Sequence, residues 1–516
     1  MTSRFISTPI YYVNDAPHIG HAYTTVAADA MARFWRLDGD AVFFLTGCDE
    51  HGQKVARAAE AKNMPTQNFV DGVAERFRRL VAGGENVLNV TNDDFIRTTE
   101  ERHKTSAQAL WKRLEERGHI YKGSYAGWYA VRDEAFYDAS ELVSGKAPTG
   151  ADVDWVEEES YFFRLSSMQD ALLKLYEERP DFVRPASRLN EVAAFVRGGK
   201  EKKEGALKDL SISRTACTWG VPVPGDASHV MYVWVDALAN YLSALGFPDE
   251  SAPNYQKFWR GGDRTHVVGK DILRFHAVYW PAMLMAADIP LPHRVVAHGW
   301  WTVEGEKMSK SLGNVVSPDD LAEKYGQERA RYFLLREMPF GNDGNFSSER
   351  VAELANAELS NKIGNLAQRS LSMIAKNDEG ALPMPGIDPA ANALLAQCYA
   401  LPDAMREAMR DFAFHKAIGE IIALANAANE YFDAAAPWAL RKTDPAGAGA
   451  VLYVAAECVR CIAVALLPFA PVGAGALLDA LNVPESARGL SAIRAERALT
   501  PGEKIEVPKA AFPRLS

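Results

Sequence analysis

An excess of positive charge is the first thing this sequence lacks. Its 57 lysines and arginines face 67 aspartates and glutamates, for a formal net charge of −10. No basic total therefore marks a nucleic-acid partner, although contact with RNA needs only a local basic face and stays open. No apolar run approaches the roughly 18 residues of a membrane span, so no membrane partner is expected. Cysteine is scarce: five residues without framework spacing suit a reducing cytoplasm and exclude a disulfide scaffold. Cys458 and Cys461 do form a Cys-x-x-Cys, but inside the apolar, helix-like stretch Val451–Leu467, where two core thiols one turn apart are expected. A first strand-like run beginning at Phe5 leaves no room for a targeting peptide, and cytoplasmic is the expected location. Internal repeats and low-complexity tracts are also missing. What remains is an ordinary globular composition, 48% hydrophobic and 24% charged over 516 residues, with length for about two to four domains.

Within that plain background, one short segment carries chemistry. Phe5–Val13 reads as a buried strand, Asn14–Pro17 as a turn, and Ile19–Leu37 as a helix with Ala22, Val26, Ala30, Phe34 and Leu37 at helical spacing. A strand, turn and helix at the start of an α/β region point free N–H groups at an anion. His18 and His21 stand on one side of that helix start, placed to donate to phosphates, and Gly20 between them leaves room for a ligand against the backbone. Far downstream, Lys307-Met308-Ser309-Lys310-Ser311 lies in a polar segment between Gly305 and Gly313, suited to a loop that closes over phosphate. Asp271, just beyond a strand ending in Gly269, is placed to bind ribose hydroxyls. Two lysines in a short run are usually only solvated, and a lone histidine is usually structural. The pair of motifs is what argues for ATP.

Strand and helix signals alternate over residues 1–112: a strand over Ala41–Thr46, a helix over about 52–62. From 113 to 230 aromatic-rich short segments break the pattern and read as an inserted domain. Sheet signals resume at Val230–Val235 and His266–Gly269, in a second half taken as 231–295. Beyond about 346 the chain is rich in Ala and Leu at helical spacing, which predicts a helix bundle over 346–516.

Together the two motifs resemble the signatures of class I aminoacyl-tRNA synthetases, and further matches narrow the resemblance to methionyl-tRNA synthetases. Those matches are Thr46–Gly52, Tyr232–Ala237, Gly269–His276, Asn365–Arg369 and Ala436–Trp438, in the family's order over nearly the whole chain. The resemblance implies a Rossmann-like parallel-sheet α/β catalytic domain interrupted by a connective domain. A stem-contact region carrying the Lys-Met-Ser-Lys-Ser loop follows over 296–345, and then an all-α anticodon-binding bundle. It implies a methionine–tRNA ligase that forms methionyl-adenylate from L-methionine and ATP and passes the aminoacyl group to initiator and elongator tRNA(Met). His18, His21, Lys307 and Lys310 become the catalytic set, and Gly20, Gly269, Asp271, Met308, Ser309 and Ser311 join them around ATP. Mg²⁺ comes with the triphosphate; no all-protein Mg²⁺ cage is visible. The chain ends after the bundle without an appended dimerisation module, so a monomer is expected.

Resemblance also assigns a methionine pocket to Ile10, Tyr12, Asp49, Trp234, Ala237, Tyr241, Ile272, His276 and Trp280. The chemistry suits a thioether, which is apolar, polarisable and a weak acceptor. Trp234 and Trp280 can wall it, Tyr12 and His276 can donate to sulfur, and Asp49 can pair the α-ammonium. Periodicity alone leaves Trp234, Tyr241 and Trp280 divided between pocket and plain core packing. Leu238 departs from relatives that have proline there and reshapes the pocket edge.

A second departure concerns metal. Many relatives carry a zinc knuckle in the connective domain; here Ala130 and Asp133 stand where the first Cys-x-x-Cys would fall, and Gly145–Gly150 lacks the second. A zinc-free insertion held by Tyr121, Tyr125, Trp128, Tyr129 and Phe136 is expected. At the far end, Asn361, Asn365 and Arg369 share a helix face that would by itself read as solvated. The resemblance assigns Asn365, Arg369 and Trp438 to the anticodon, whose splayed bases can stack on an aromatic ring and be read at their edges by Arg and Asn. The leucine, isoleucine and valine enzymes need a larger insertion than 113–230, and the cysteine enzyme a zinc ligand set. A small nucleotidylyltransferase and a catalytically silent tRNA-binding relative remain as readings from other classes.

Overall fold

The computed structural model describes residues 1–81, 87–133, 135–137, 139–199, 203–308, 313–377, 379–507 and 509–515, without side-chain description at Tyr125, Ala135, Phe136, Ser140, Lys307 and Ala390. Ser3–Ser7 lies at the centre of a seven-stranded sheet in which every pairing is parallel. Ala41–Asp49 flanks it on one side and Asp263–Gly269 on the other, followed outward by Arg294–His298. Its two neighbours come from the first and the second half of the sheet-forming chain, so strand order reverses at Ser3–Ser7 and a crevice opens at the carboxyl ends there. The expected run Phe5–Val13 divides at Pro9: Ser3–Ser7 pairs centrally, and Tyr11–Tyr12 pairs beside Cys48 and Asp49.

Ile19–Leu37 is a helix, as its spacing predicts, and its inner face buries Ala22, Val26, Ala30 and Phe34 completely or nearly so. Two expectations are corrected. Val230–Val235 is not a strand of the main sheet: Asp226–Met231 pairs antiparallel in a separate three-stranded sheet, and Val233–Leu238 is a helix. The apolar run that suggested a buried strand serves equally well as a helix buried on most sides, and periodicity cannot separate the two. Conversely Val183–Arg184, inside the stretch read as an insertion, pairs with Val295 and Val296 at the edge of the main sheet. Two residues carry no alternation to read.

The connective region is built on a long antiparallel hairpin, Ile120–Ala130 with Asp154–Phe163. Tyr121 stacks on Phe162 with centroids 5.4 Å apart, Trp128 packs edge-on against Trp155 at 5.3 Å, and the Arg214 guanidinium lies over Tyr129 at 5.6 Å. Trp301–Val303, Glu306–Lys307 and Gly344–Phe346 form a small sheet carrying the start of the Lys-Met-Ser-Lys-Ser segment. Helices Asn365–Asn377, Ala393–Arg410, Phe414–Ala435, Pro445–Leu466 and Pro471–Ala480 make up the bundle.

Pro445–Leu466 is apolar and long enough to cross a membrane, contrary to the expectation from the sequence, but 94% of its most apolar window is buried inside the bundle. Glu457 and Arg460 pair within it at 2.6 Å, and Leu499 N–H donates to Glu457, so a core helix carries its own satisfied charges. Cys458 and Cys461 are fully buried there, with the Cys458 sulfur 3.5 Å from that of Cys398.

The bundle is not a separate body. Its core is continuous with the face of Ile19–Leu37 that looks away from the connective region. Arg331, on the helix Gln327–Arg336, sits at that junction with no solvent exposure. It donates to Asp29 Oδ2 at 2.7 Å, to Leu88 O at 2.9 Å and to Pro468 O at 3.2 Å.

Candidate functional site

His18 is the N-cap of Ile19–Leu37, and its ring closes an unusual reciprocal cap. His18 Nδ1 accepts from Gly20 N–H at 3.1 Å, and His21 Nδ1 accepts from His18 N–H at 3.1 Å. A nitrogen that accepts cannot carry the proton of a neutral ring, so each ring is left with Nε2–H as its donor. Burial holds His18 below the ordinary imidazole range, with Asp15 and Asp271 pulling the other way. Burial and the neighbouring His18 hold His21 well below it. The rings lie 3.9 Å apart, and Tyr11 and Phe77 meet His21 edge-on. Two neutral, oriented Nε2–H donors therefore stand at a helix N-terminus, where free backbone N–H groups already favour an anion. A Cβ on Gly20 would fall 2.9 Å from the His18 ring and disturb the cap.

Around the corner, Gly269 ends its strand and Asp271 follows at the surface, its Oδ1 accepting from Trp300 Nε1 at 3.2 Å. A Cβ at Gly269 would fall 2.5 Å from that carboxylate oxygen. Trp300, Lys270 and Asp343 complete this rim: the lysine sits 4.2 Å over the indole and bonds both oxygens of Asp343 at 2.7 Å. His298, buried beneath, lies 2.7 Å from Thr24 Oγ1. Sequence reasoning missed these residues; the only local signal was an indole directly after a strand end.

Gly305 and Gly313 both adopt positive φ, 84° and 65°, a region that glycine enters at no steric cost. Met308 packs against the core on the helix side. The Lys307 side chain, Ser309, Lys310 and Ser311 lie outside the described residues, so this half of the ATP expectation has no geometry.

A cavity of about 270 Å³ opens at the carboxyl ends of the central strands. Ile10, Tyr12, Asp49, Trp234, Ala237, Tyr241, Ile272 and His276 all line it, as do Leu238, Asn240 and Phe275. Trp280 does not: it is fully buried behind Tyr241, centroids 6.0 Å apart, and supports the wall instead of forming it. His276 is not available as expected either. Its Nδ1 lies 3.0 Å from the Ile272 carbonyl, an acceptor only, so Nδ1–H donates there. Nε2 then accepts from Tyr241 O–H at 2.7 Å, and neither nitrogen is left to donate to sulfur. Burial lowers the pKa of His276 to about 4, against the opposing Ile272 hydrogen bond, so the ring is neutral at physiological pH.

His21, His266, His276 and His298 are all held below the ordinary imidazole range of about 6.5, chiefly by burial. Below that pH the unfolded chain binds protons that the folded chain refuses. Their contribution to stability is complete above about pH 6.5 and is lost as pH falls toward about 4. We expect the midpoint of thermal unfolding to fall steadily from about pH 6.5 to about 4.5; a constant midpoint would mean that the rings charge inside the fold.

Lys54, Arg132 and Asp133 also line the cavity. The last two come from the turn after Ile120–Ala130, where the resemblance would place a zinc ligand at Asp133. Asp133 Oδ2 there accepts from Tyr137 O–H at 3.1 Å and from Thr149 Oγ1. Among the described residues this turn offers one carboxylate among hydroxyls and no thiolate or imidazole, a set that does not fit a structural zinc ion. Among the described residues no group of three metal-ligating side chains occurs.

At the bundle, Arg369 and Trp438 are brought together: the guanidinium lies 5.3 Å over the indole and 5.1 Å over Phe432, and bonds Asp433 at 2.6 Å. Asn365 is exposed one turn earlier on the same helix, and Trp438 is 46% exposed, so a ring and two polar edges face outward.

Residues 4–154 and 139–371 match the family model described as tRNA synthetases class I (M), and residues 384–516 match that of the anticodon binding domain of methionyl tRNA ligase. A methionine–tRNA ligase of Rickettsia bellii is 53% identical over 520 residues, covering 99% of this chain and 98% of that one. One of Brucella suis is 52% identical over 516 residues, covering 99% and 97%. Among solved structures, Mycobacterium tuberculosis methionyl-tRNA synthetase in complex with methionyl-adenylate superposes with a TM-score of 0.94 at 47% identity, covering all of both chains. The apo form of that enzyme superposes with a TM-score of 0.85 at 44% identity, covering 100% and 99%.

Proposed function

Because the chain belongs to the class I methionyl-tRNA synthetases, we propose that it joins L-methionine to tRNA(Met) through methionyl-adenylate. The observation that carries this reading is a cavity and a donor pair held by one connecting segment. Trp234, Tyr241, Ile272 and Asp49 line the cavity together with Ile10 and Tyr12, and the chain runs from those two residues into the cap formed by His18 and His21.

Methionine enters with its side chain among the aromatic walls and its α-ammonium at Asp49. The carboxylate then attacks the α-phosphorus of ATP in line, and pyrophosphate leaves. Charge builds on the phosphate oxygens, where His18 and His21 Nε2–H groups are set in place before the reaction starts. Asp271 receives the ribose hydroxyls, and Lys307 and Lys310 close over the leaving pyrophosphate. Mg²⁺ bound to the triphosphate would neutralise part of its charge. The 3′-terminal ribose of tRNA, by its 2′-hydroxyl as in class I enzymes, then displaces AMP. Since His276 is occupied by Ile272 and Tyr241, thioether recognition falls to the shape and polarisability of the wall and to Tyr12. Domain boundaries near 112, 230, 295 and 345 belong to the same proposal, as do a monomeric cytoplasmic enzyme and service to both initiator and elongator tRNA.

Amino-acid-dependent ATP–pyrophosphate exchange, run with all twenty amino acids and neither tRNA nor zinc, tests the first half-reaction. Exchange with methionine alone is expected; exchange with another amino acid moves the pocket to a sister enzyme, and none at all favours the silent tRNA-binding reading. For the second half, Trp438→Ala removes a stacking surface worth about 1–3 kcal/mol per base. Aminoacylation of tRNA is expected to fall by about one to two powers of ten while exchange holds, and equal losses in both would sink the anticodon assignment.

A further inference from the structure

Four charged side chains line the cavity, and three have an account within the catalytic domain or within their own turn. Asp49 takes the ammonium; Lys54 sits with its Nζ 5.5 Å from the Tyr12 ring; Asp133 holds the connective turn. Arg132 is different. It comes from the connective domain, its side chain is 56% exposed, and its guanidinium is nevertheless fixed: Nε donates to Asp133 Oδ1 at 3.1 Å and Nη2 to Thr149 O at 2.7 Å.

Transfer places a constraint on what lies at this rim. The 3′-terminal nucleotide of tRNA carries a phosphodiester one sugar away from the hydroxyl that is esterified. A backbone phosphate must therefore stand at the mouth of the cavity while that hydroxyl meets the aminoacyl carbonyl, whichever way the strand enters. Arginine suits such a partner, because its planar fork meets two phosphate oxygens at once. Resting on the ligase reading above, we propose that Arg132 binds a backbone phosphate of the tRNA 3′ end during transfer, with Asp133 as the positioning residue that holds it.

The test is Arg132→Ala, with Arg132→Lys beside it, in the full-length enzyme. Each sample is assayed for methionine-dependent exchange and for single-turnover transfer from preformed enzyme-bound methionyl-adenylate to a tRNA(Met) transcript. The ratio of the two rates cancels any fraction of protein that fails to fold. That ratio is expected to drop about tenfold or more in the alanine variant, the scale of one lost charge-assisted hydrogen bond, and to recover partly with lysine. Equal loss in both reactions would overturn the proposal and give Arg132 to methionine or ATP; no change in either would overturn it too and leave the turn as a wall only. Absence of methionine exchange in the unaltered enzyme would instead remove the ligase reading itself, which separates the two failures.

Discussion

Arg331→Ala is expected to lower the free energy of unfolding by about 3–5 kcal/mol, the range for breaking one side of a buried ion pair. The carboxylate left behind is not wholly abandoned. Asp29 keeps Arg33 at 2.7 Å and the Thr91 N–H and O–H at 2.8 and 2.7 Å. What it loses is the fully buried charge that holds it below the usual carboxylate range alongside Arg33. The carbonyls of Leu88 and Pro468 lose their donors at the same time, and the volume of the guanidinium is left empty in a region without solvent. Denaturant unfolding of the variant would measure the loss. A value under about 1 kcal/mol would mean that water replaces the arginine, and that the junction is wetter than its burial indicates. Arg331 also ties the helix that begins at His18 to the chain leading into Pro471–Ala480, so the defect should reach catalysis. Aminoacylation of tRNA, which spans both regions, is expected to suffer more than exchange, which needs only one.

His21→Ala carries the other large effect. If His21 Nε2–H donates to a phosphate oxygen whose charge grows in the transition state, its removal should cut the exchange rate constant by about 10²–10³, or about 2.7–4 kcal/mol. The KM for methionine should change little, because an interaction made chiefly in the transition state shows in kcat. The ring also accepts the His18 N–H, so part of any loss could come from a frayed helix start. His18→Asn separates the two contributions: asparagine is among the best N-caps and keeps an oxygen for Gly20 N–H, but it has no imidazole donor. Comparable loss of exchange in His18→Asn with an unchanged melting temperature would assign the effect to phosphate contact. Activity that tracks melting temperature across both variants would reduce the histidines to caps.

The helix Ile19–Leu37 was legible in advance because everything that makes it is local. Alanines keep its propensity high, the buried stripe recurs every three to four residues, and His18 and His21 close a cap within a single turn. The strands expected at Ala41–Thr46 and His266–Gly269 were legible as short runs of strand-forming residues, and each proves to be part of a longer strand, Ala41–Asp49 and Asp263–Gly269. The membership of eight of nine expected pocket residues in one cavity came from resemblance; from spacing alone Trp234, Tyr241 and Trp280 were evenly divided, and Trp280 proved to be the supporting one.

By itself, then, the sequence determined the helix Ile19–Leu37, the core of the strands at Ala41 and Gly269 and the motifs that stand at their ends, because propensity, periodicity and capping act over a few residues. Tertiary structure alone decided the rest. Val183–Arg184 joins the main sheet because Val295 and Val296 offer it a pairing edge. His276 loses its free donor because Tyr241 comes from another helix to occupy Nε2, while Nδ1–H goes to Ile272 one turn back. Arg331 finds Asp29 across the junction of two regions, and Arg132 reaches the cavity from a turn in the inserted domain. In each case the deciding partner is remote in sequence or set by the packing of separate elements. The contact is made only when the chain closes on itself, so its pattern is not written in any one segment.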